Sequence, residues 1–231
     1  MSKQKRVLLK ISGETMSGVN KSGFDGEALK FLAEEINEAV STGTEIAIVM
    51  GSGNLIRGSR LVSELGVTPV VGDHAGMLTT VINAIVLQDF LEHTYNIDTR
   101  TASAVEVNTI AEPYRRRRVM RHLEKKRVVV LAGGTGNPRF TTDSAAVLRA
   151  IEIEADMIIK GTKVDGIYNK DPKEHEDAEF IKRINHHDFV DQELHVLDST
   201  AVTLAGENNM DIRVFNILEK GNLKKNIIRR G

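Results

Sequence analysis

The sequence predicts a mainly parallel, doubly wound α/β sheet, and three observations carry that expectation. Apolar runs of strand length alternate with amphipathic helical stretches from one end of the chain to the other. Glycine-rich or cationic loops follow four of those runs, at 10–13, 51–57, 133–143 and 162–171, and parallel strands would gather such loops at one sheet edge. No low-complexity linker and no internal repeat divides the 231 residues, so the chain reads as one unit over 1–231 with two closely packed lobes.

In order, 6–11 is a short apolar strand that ends on Lys10, Ser12 and Gly13, placing a cation at a strand's C-terminal edge. Such a lysine can serve a ligand or simply be solvated. After the polar loop 17–23, Asp25 reads as an N-cap, with Leu29, Leu32, Ile36 and Val40 on one helical face and Gly43 as the stop. A buried strand at 45–50 runs into Gly51-Ser52-Gly53-Asn54, a near miss to a dinucleotide fingerprint because Ile56 replaces the third glycine. Arg57 lies just beyond it and suits a phosphate. Thr68-Pro69 breaks the chain before a long helix, roughly 73–95, with Asp73 at its start in a capping position. A strand follows at 98–103, and Pro113 opens a basic helix over 114–126.

The stretch 128–150 is the richest: strand, glycine loop, then a helix beginning near Asp143. A glycine turn feeding a helix presents backbone N–H groups and the positive end of the helix dipole to an anion. Thr135, Asn137, Thr141 and Thr142 add neutral hydrogen-bonding groups, although an ordinary βα turn has the same composition. A strand at 156–160 leads into the polar loop 161–172, which carries Thr162, Lys163, Asp165, Tyr168 and Asp171. A short strand at 180–184, an Asp198-capped helix, a strand at 212–215 and a basic helix at 223–230 complete the chain. His186 and His187 are adjacent and cannot share a helical face, which argues against metal ligation there.

Composition excludes several classes. The net charge of −1 provides no global attraction to nucleic acid or anionic lipid. The absence of Cys removes disulfides, thiolate metal sites and cysteine nucleophiles. No uninterrupted apolar run reaches the roughly 20 residues of a membrane span, and the N-terminus has no signal-peptide pattern, so a cytoplasmic location is expected. The basic run Arg115–Arg118 is the one hint of nucleic acid, and one basic helix on a near-neutral chain reads first as a solvated face.

Backbone donors and cations gathered at one edge are what phosphoryl transfer needs. The chain contains no Gly-Lys dipeptide and hence no Walker A loop, and it lacks the protein-kinase motif set. The residues themselves resemble a family. KISGE, GSGNLIRG, VVGDHAGM, GTGNPRFTTDSAA and KVDGIYNKDP occur in the order and spacing of the bacterial uridylate kinases (UMP kinases) of the amino-acid kinase superfamily. The resemblance covers nearly the whole chain. It implies a three-layer α/β/α sandwich, transfer of the γ-phosphoryl of ATP to UMP to give UDP in pyrimidine biosynthesis, Mg2+ with the ATP, and no dedicated protein metal site. It also implies a homohexamer activated by GTP and inhibited by UTP.

Carried over by residue, the resemblance implies that Lys10, Ile11, Ser12 and Gly13 contact the ATP phosphates, and that Ser52, Gly53 and Arg57 line the junction between the nucleotides. Thr162, Tyr168 and Asp171 would hold the ATP side. Asp73 would take the UMP ribose; Thr135, Gly136, Asn137 and Pro138, then Arg139, Phe140, Thr141 and Thr142, would wrap the UMP. Lys10 and Lys163 would neutralise the transferring group, with Asp143 orienting both. Gly18, Val19, Asn20, Lys21, Ser22 and Gly23 match the region implicated in effector binding. Two positions depart from the family pattern: Ser52 replaces a glycine, and Arg139 replaces an aromatic. Two other readings remain open at this stage. One is a superfamily kinase acting on acetylglutamate, aspartate or carbamate; the other is a non-catalytic nucleotide sensor whose basic helix binds nucleic acid.

Overall fold

A computed structural model describes residues 5–20 and 22–228. Seven strands form one parallel sheet: β1 (Arg6–Ile11), β2 (Glu45–Met50), β3 (Thr99–Ser103), β4 (Glu112–Pro113), β5 (Val128–Ala132), β6 (Met157–Thr162) and β9 (Ile212–Asn216). Their spatial order is β4-β3-β5-β2-β1-β6-β9. Between β6 and β9 the chain adds a two-stranded antiparallel pair, β7 (Ile167–Tyr168) and β8 (Phe180–Ile181).

The helices are α1 (Gly26–Val40), α2 (Gly58–Leu65), α3 (Pro69–Tyr95) and α4 (Arg116–Glu124), followed by α5 (Thr142–Glu152), α6 (His186–Asp191), α7 (Ser199–Glu207) and α8 (Asn222–Ile228). Strand side chains alternate between the two sheet faces, and this period of two builds two separate cores. Val7, Leu9 and Ile11 of β1 join α1, α3 and α8 through Leu32, Ile36, Leu87 and Ile227. Leu8, with Val49, Val129 and Ile158, packs on α4, α5 and α7 through Leu123, Ala150 and Ala205. These are the three layers that the resemblance implied. A third cluster of Phe189, Leu194, Leu197 and Val202 lies under the β7–β8 pair.

Several element boundaries differ from the sequence reading. The long helix begins at Pro69, not near Asp73: Thr68 is its N-cap residue and Pro69 sits at its first position, where the missing N–H costs nothing. Asp73 is therefore inside the helix and free of capping duty. Helix α2 was not expected. It packs on α3 where Gly58 and Gly72 meet; a Cβ on Gly72 would lie 2.7 Å from the Gly58 carbonyl oxygen. The strand expected at 180–184 pairs only over Phe180–Ile181 and belongs to the small antiparallel pair. By length and mean hydropathy α3 could span a membrane, but Val81, Ala84, Leu87 and Leu91 bury one face of it against the sheet. It is the core helix of this layer.

Candidate active site

Strand register sets the centre of the site. In the parallel pairing of β1 with β6, Leu8 lies opposite Ile158 and Lys10 opposite Lys160. Two residues along each strand return to the same face, so both lysines emerge beside the apolar pair on the α5 side of the sheet. Two adjacent ammonium groups repel one another unless an anion stands between them. Asp143, in the first turn of α5, supplies it: Lys10 Nζ lies 2.7 Å from Oδ1 and Lys160 Nζ 2.5 Å from Oδ2. Lys160 also donates to the Val196 carbonyl at 2.5 Å. Among the described residues no donor is aligned on Oδ1 for a hydrogen bond, so the Lys10 contact is an ion pair held by position.

All three side chains are buried. Burial pushes the Asp143 carboxyl up, but the charges of Lys10 and Lys160 outweigh it and hold the group below the ordinary carboxylate range. Burial and then the neighbouring Lys10 charge bring Lys160 down to about 8, with Asp143 opposing the shift. Asp143, expected to orient Lys10 and Lys163, therefore orients Lys10 and Lys160. Lys163 instead pairs with Glu14 at 2.9 Å in a partly exposed position. Sequence reasoning missed Lys160 because it was read as an ordinary strand residue; the signal was a lysine two positions after the apolar Ile158.

Two clefts lie near this centre: Thr142, next to Asp143 in the chain, lines the first, and Lys10 and Lys160 line the second. The first is lined by Ser52, Asp73, Thr135, Phe140, Thr141 and Thr142 of the expected acceptor set, and α2 and α3 add Ser59, Gly76, Met77 and Thr80. Its loop turns sharply at Gly133, where φ is +76° and a Cβ would lie 2.8 Å from the Val105 nitrogen. The Gly133 N–H donates to Thr80 Oγ1 at 2.8 Å. Gly136, Asn137, Pro138 and Arg139 do not line the cleft. Arg139 has φ +72° and its backbone N–H donates to Asp73 Oδ2 at 2.9 Å, so Asp73 fastens the loop to α3. Ser52 is not among the residues with positive φ, so its Cβ creates no backbone strain.

The N-terminus of α5 is less open than the sequence suggested. Thr141 caps it, accepting from the N–H groups of Asp143 and Ser144. Asp198 then accepts from the Thr141 and Ser144 hydroxyls while capping α7 through the Ala201 N–H. Positive charge at this centre therefore comes mainly from the two lysines rather than from free helix N–H groups.

The second cleft is lined by Lys10, Ser12, Glu14, Thr15, Lys160 and Thr162, together with Gly161, Lys163 and Val196. Ile11 contributes no side chain, because that side chain lies in the core. Gly13 is packed so closely that a Cβ would lie 2.5 Å from Asn54 Oδ1. Arg57 forms an ion pair with Glu14, so Glu14 gathers both Arg57 and Lys163 at the mouth. Gly53 lies against the same carboxylate; a Cβ there would be 3.2 Å from Glu14 Cγ. Tyr168 and Asp171 lie outside the lining: Tyr168 stacks edge-on against Phe180 and Asp171 bonds the Lys173 N–H within its own turn.

The loop expected to bind effectors lines neither cleft. Gly18, Val19 and Asn20 form a 3-10 turn with Val19 exposed, Ser22 and Gly23 follow, and Lys21 lies outside the described residues. This loop joins the centre through Asn54, which donates to the Gly23 carbonyl. Asn54 also exchanges two amide hydrogen bonds with the buried Asn83, whose Nδ2 holds the Gly51 carbonyl at 2.7 Å. The basic helix is largely a solvated face: Arg116 pairs with Glu154 and Arg118 with Glu112.

Comparison with known proteins agrees with this geometry. Residues 5–216 match the profile of the Amino acid kinase family. A protein named Uridylate kinase from Methylococcus capsulatus is 51% identical over 217 residues, covering 94% of this chain and 90% of its own length. The Uridylate kinase of Campylobacter jejuni subsp. doylei is 48% identical over 97% of this chain and 94% of its own. Among solved structures, UMP kinase from Bacillus anthracis superposes with a TM-score of 0.93 at 36% identity, covering 97% of this chain and 92% of that one. UMP kinase from Ureaplasma parvum gives 0.88 at 36% identity, covering 94% and 92% of the two chains.

Proposed function

The chain belongs to the amino acid kinase family, and on that premise we propose that it transfers the γ-phosphoryl group of ATP to UMP, giving UDP and ADP. One observation supports this most strongly: Lys10 and Lys160 stand side by side in strand register with Asp143 between them; both lysines line the second cleft, and Thr142, next to Asp143 in the chain, lines the first. In this reading ATP occupies the cleft of Ser12, Thr162 and Lys163, and UMP the cleft of Asp73, Thr135 and Thr142. A UMP phosphate oxygen attacks the γ-phosphorus, and the bond from that phosphorus to the oxygen bridging it to the β-phosphate breaks. The acceptor phosphate is already largely ionised near neutral pH, so the step needs no protein base. What it needs is placement and countercharge for the equatorial oxygens. Lys10 and Lys160 supply the charge, and Asp143 fixes both ammonium groups before substrate arrives.

Among the described residues no three carboxylate or imidazole groups converge as a metal cage. Mg2+ enters this reading as part of the ATP substrate, carried by its phosphates. Pyrimidine nucleotide biosynthesis in the cytoplasm is the corresponding setting. Homohexamer formation, GTP activation and UTP inhibition are part of the same proposal and follow from the resemblance. The exposed apolar side chains Val70, Val71, Leu78 and Ile82 on α3 are consistent with a surface covered on assembly.

The test is ADP release measured in parallel with UMP, CMP, acetylglutamate and carbamate as acceptors. Turnover with UMP far above the other three supports the reading. Turnover with acetylglutamate or carbamate, and none with UMP, overturns it.

A further inference from the structure

Arg149 lies two turns into α5, away from the reacting centre, and its side chain is only 7% exposed. A buried guanidinium is costly unless its donors are met, and here they are met in an informative way. Nη1 donates to Glu152 Oε2 at 2.6 Å. Nη2 donates to the backbone carbonyls of Gly134 and Thr135, each at 3.3 Å. The Tyr114 ring lies 3.9 Å from Cζ on one face of the guanidinium plane. The Tyr114 hydroxyl donates at 2.5 Å to the same Glu152 oxygen that holds Nη1. Burial, and then that hydrogen bond, hold the Tyr114 phenol well above its usual range, so it remains a donor.

The grip falls on the one loop that must present donors to the acceptor. Gly134 and Thr135 both line the first cleft, and Gly134 has φ +60°. Its peptide planes have little steric restraint of their own. A trans peptide points N–H and C=O in opposite directions within one plane, so a guanidinium holding the Gly134 carbonyl turns the Thr135 N–H away from itself. We infer that Arg149, braced by Glu152 and Tyr114, is a positioning residue for the acceptor: it fixes the peptide planes at Gly134–Thr135 and thereby sets the affinity for UMP. This rests on the first cleft being the UMP site.

Arg149→Lys keeps the charge and loses the planar fork that reaches both carbonyls. Its KM for UMP rises roughly tenfold or more, on the scale of hydrogen bonds made by a charged group, while the KM for ATP stays within about twofold. Tyr114→Phe removes a single hydroxyl, leaves the fold intact and raises the KM for UMP by roughly three- to tenfold. Amide hydrogen exchange over 133–140 becomes faster in both variants without substrate, which reports loop order independently of turnover. If Arg149→Lys does not fold, Tyr114→Phe decides. Unchanged exchange in the folded variants overturns the inference, as does a rise of both KM values together, the mark of a purely structural role. A wild-type enzyme that does not turn over UMP, with exchange still accelerated in the variants, removes the acceptor's identity and leaves the loop-positioning role standing.

Discussion

Replacing Lys160 and Lys163 separately by methionine tests the geometry most directly. Lys160 Nζ reaches Asp143 Oδ2 and the Val196 carbonyl, each at 2.5 Å, inside a buried centre. Removing one preorganised electrostatic partner typically costs about 100- to 1000-fold in kcat, or about 2.7–4 kcal/mol. That is the expected effect of Lys160→Met at saturating UMP and ATP-Mg. The cost to folding is smaller than for an ordinary broken buried pair, which is about 3–5 kcal/mol. Asp143 keeps Lys10 at 2.7 Å, and Lys160 was itself penalised by burial, so about 1–2 kcal/mol is expected. Lys163 is 41% exposed and pairs with Glu14 at the surface. Lys163→Met should leave stability within about 1 kcal/mol and raise the KM for ATP more than it lowers kcat. The assay is coupled ADP release with ATP varied at saturating UMP, paired with thermal unfolding of each variant. A kcat loss in Lys163→Met equal to that in Lys160→Met, or a Lys160→Met enzyme within threefold of wild type, would refute the assignment.

Three further outcomes follow from the same structure. With Lys160 at about 8, kcat/KM for ATP should fall as pH rises through about 8 while the protein stays folded. The unfolded lysine keeps its proton to higher pH, so this group makes stability rise between its folded value and the ordinary lysine value of 10.5; an alkaline limb that coincides with unfolding would sink the idea. UMP should be preferred to dUMP by roughly 5- to 150-fold in kcat/KM, and Asp73→Asn should shrink that ratio with the KM for ATP unchanged. An unchanged ratio would reduce Asp73 to its bond with the Arg139 N–H. Arg139→Gly removes a left-handed strain of about 1 kcal/mol but loosens the unfolded chain by a similar amount, so unfolding should change by less than about 0.5 kcal/mol. Arg139→Val should destabilise by about 1–2 kcal/mol, and equal melting temperatures for Gly and Val would count against the φ +72° backbone.

The sequence by itself determined the longer strands, most of the helices and the glycine loops, because strand and helix periodicities are local and each loop's composition declares its own turn chemistry; the two-residue strands β4 and β7 lay in stretches read as a helix start and a loop. Asp25 and Asp198 cap α1 and α7 as their positions suggested. The motifs and their spacing pointed to Lys10 and Asp143. Local patterning could not say which lysine of 160 and 163 completes the centre, because that depends on how β6 aligns with a strand about 150 residues away in sequence. A register shifted by one residue would turn Lys160 to the other face. Asp73 looked like a cap for the same reason: only the helix start at Pro69 shows that its carboxylate is free to hold the loop. The network of Arg149, Glu152 and Tyr114 and the amide pair of Asn54 and Asn83 were invisible in sequence. Arg149 and Glu152 are neighbours on α5, but Tyr114 and the carbonyls of Gly134 and Thr135 reach them from other segments, as Asn83 reaches Asn54, and each side chain taken alone looks like an ordinary helix, loop or strand-flanking residue. Long-range packing brings those partners together, and burial is what forces every donor among them to find its acceptor.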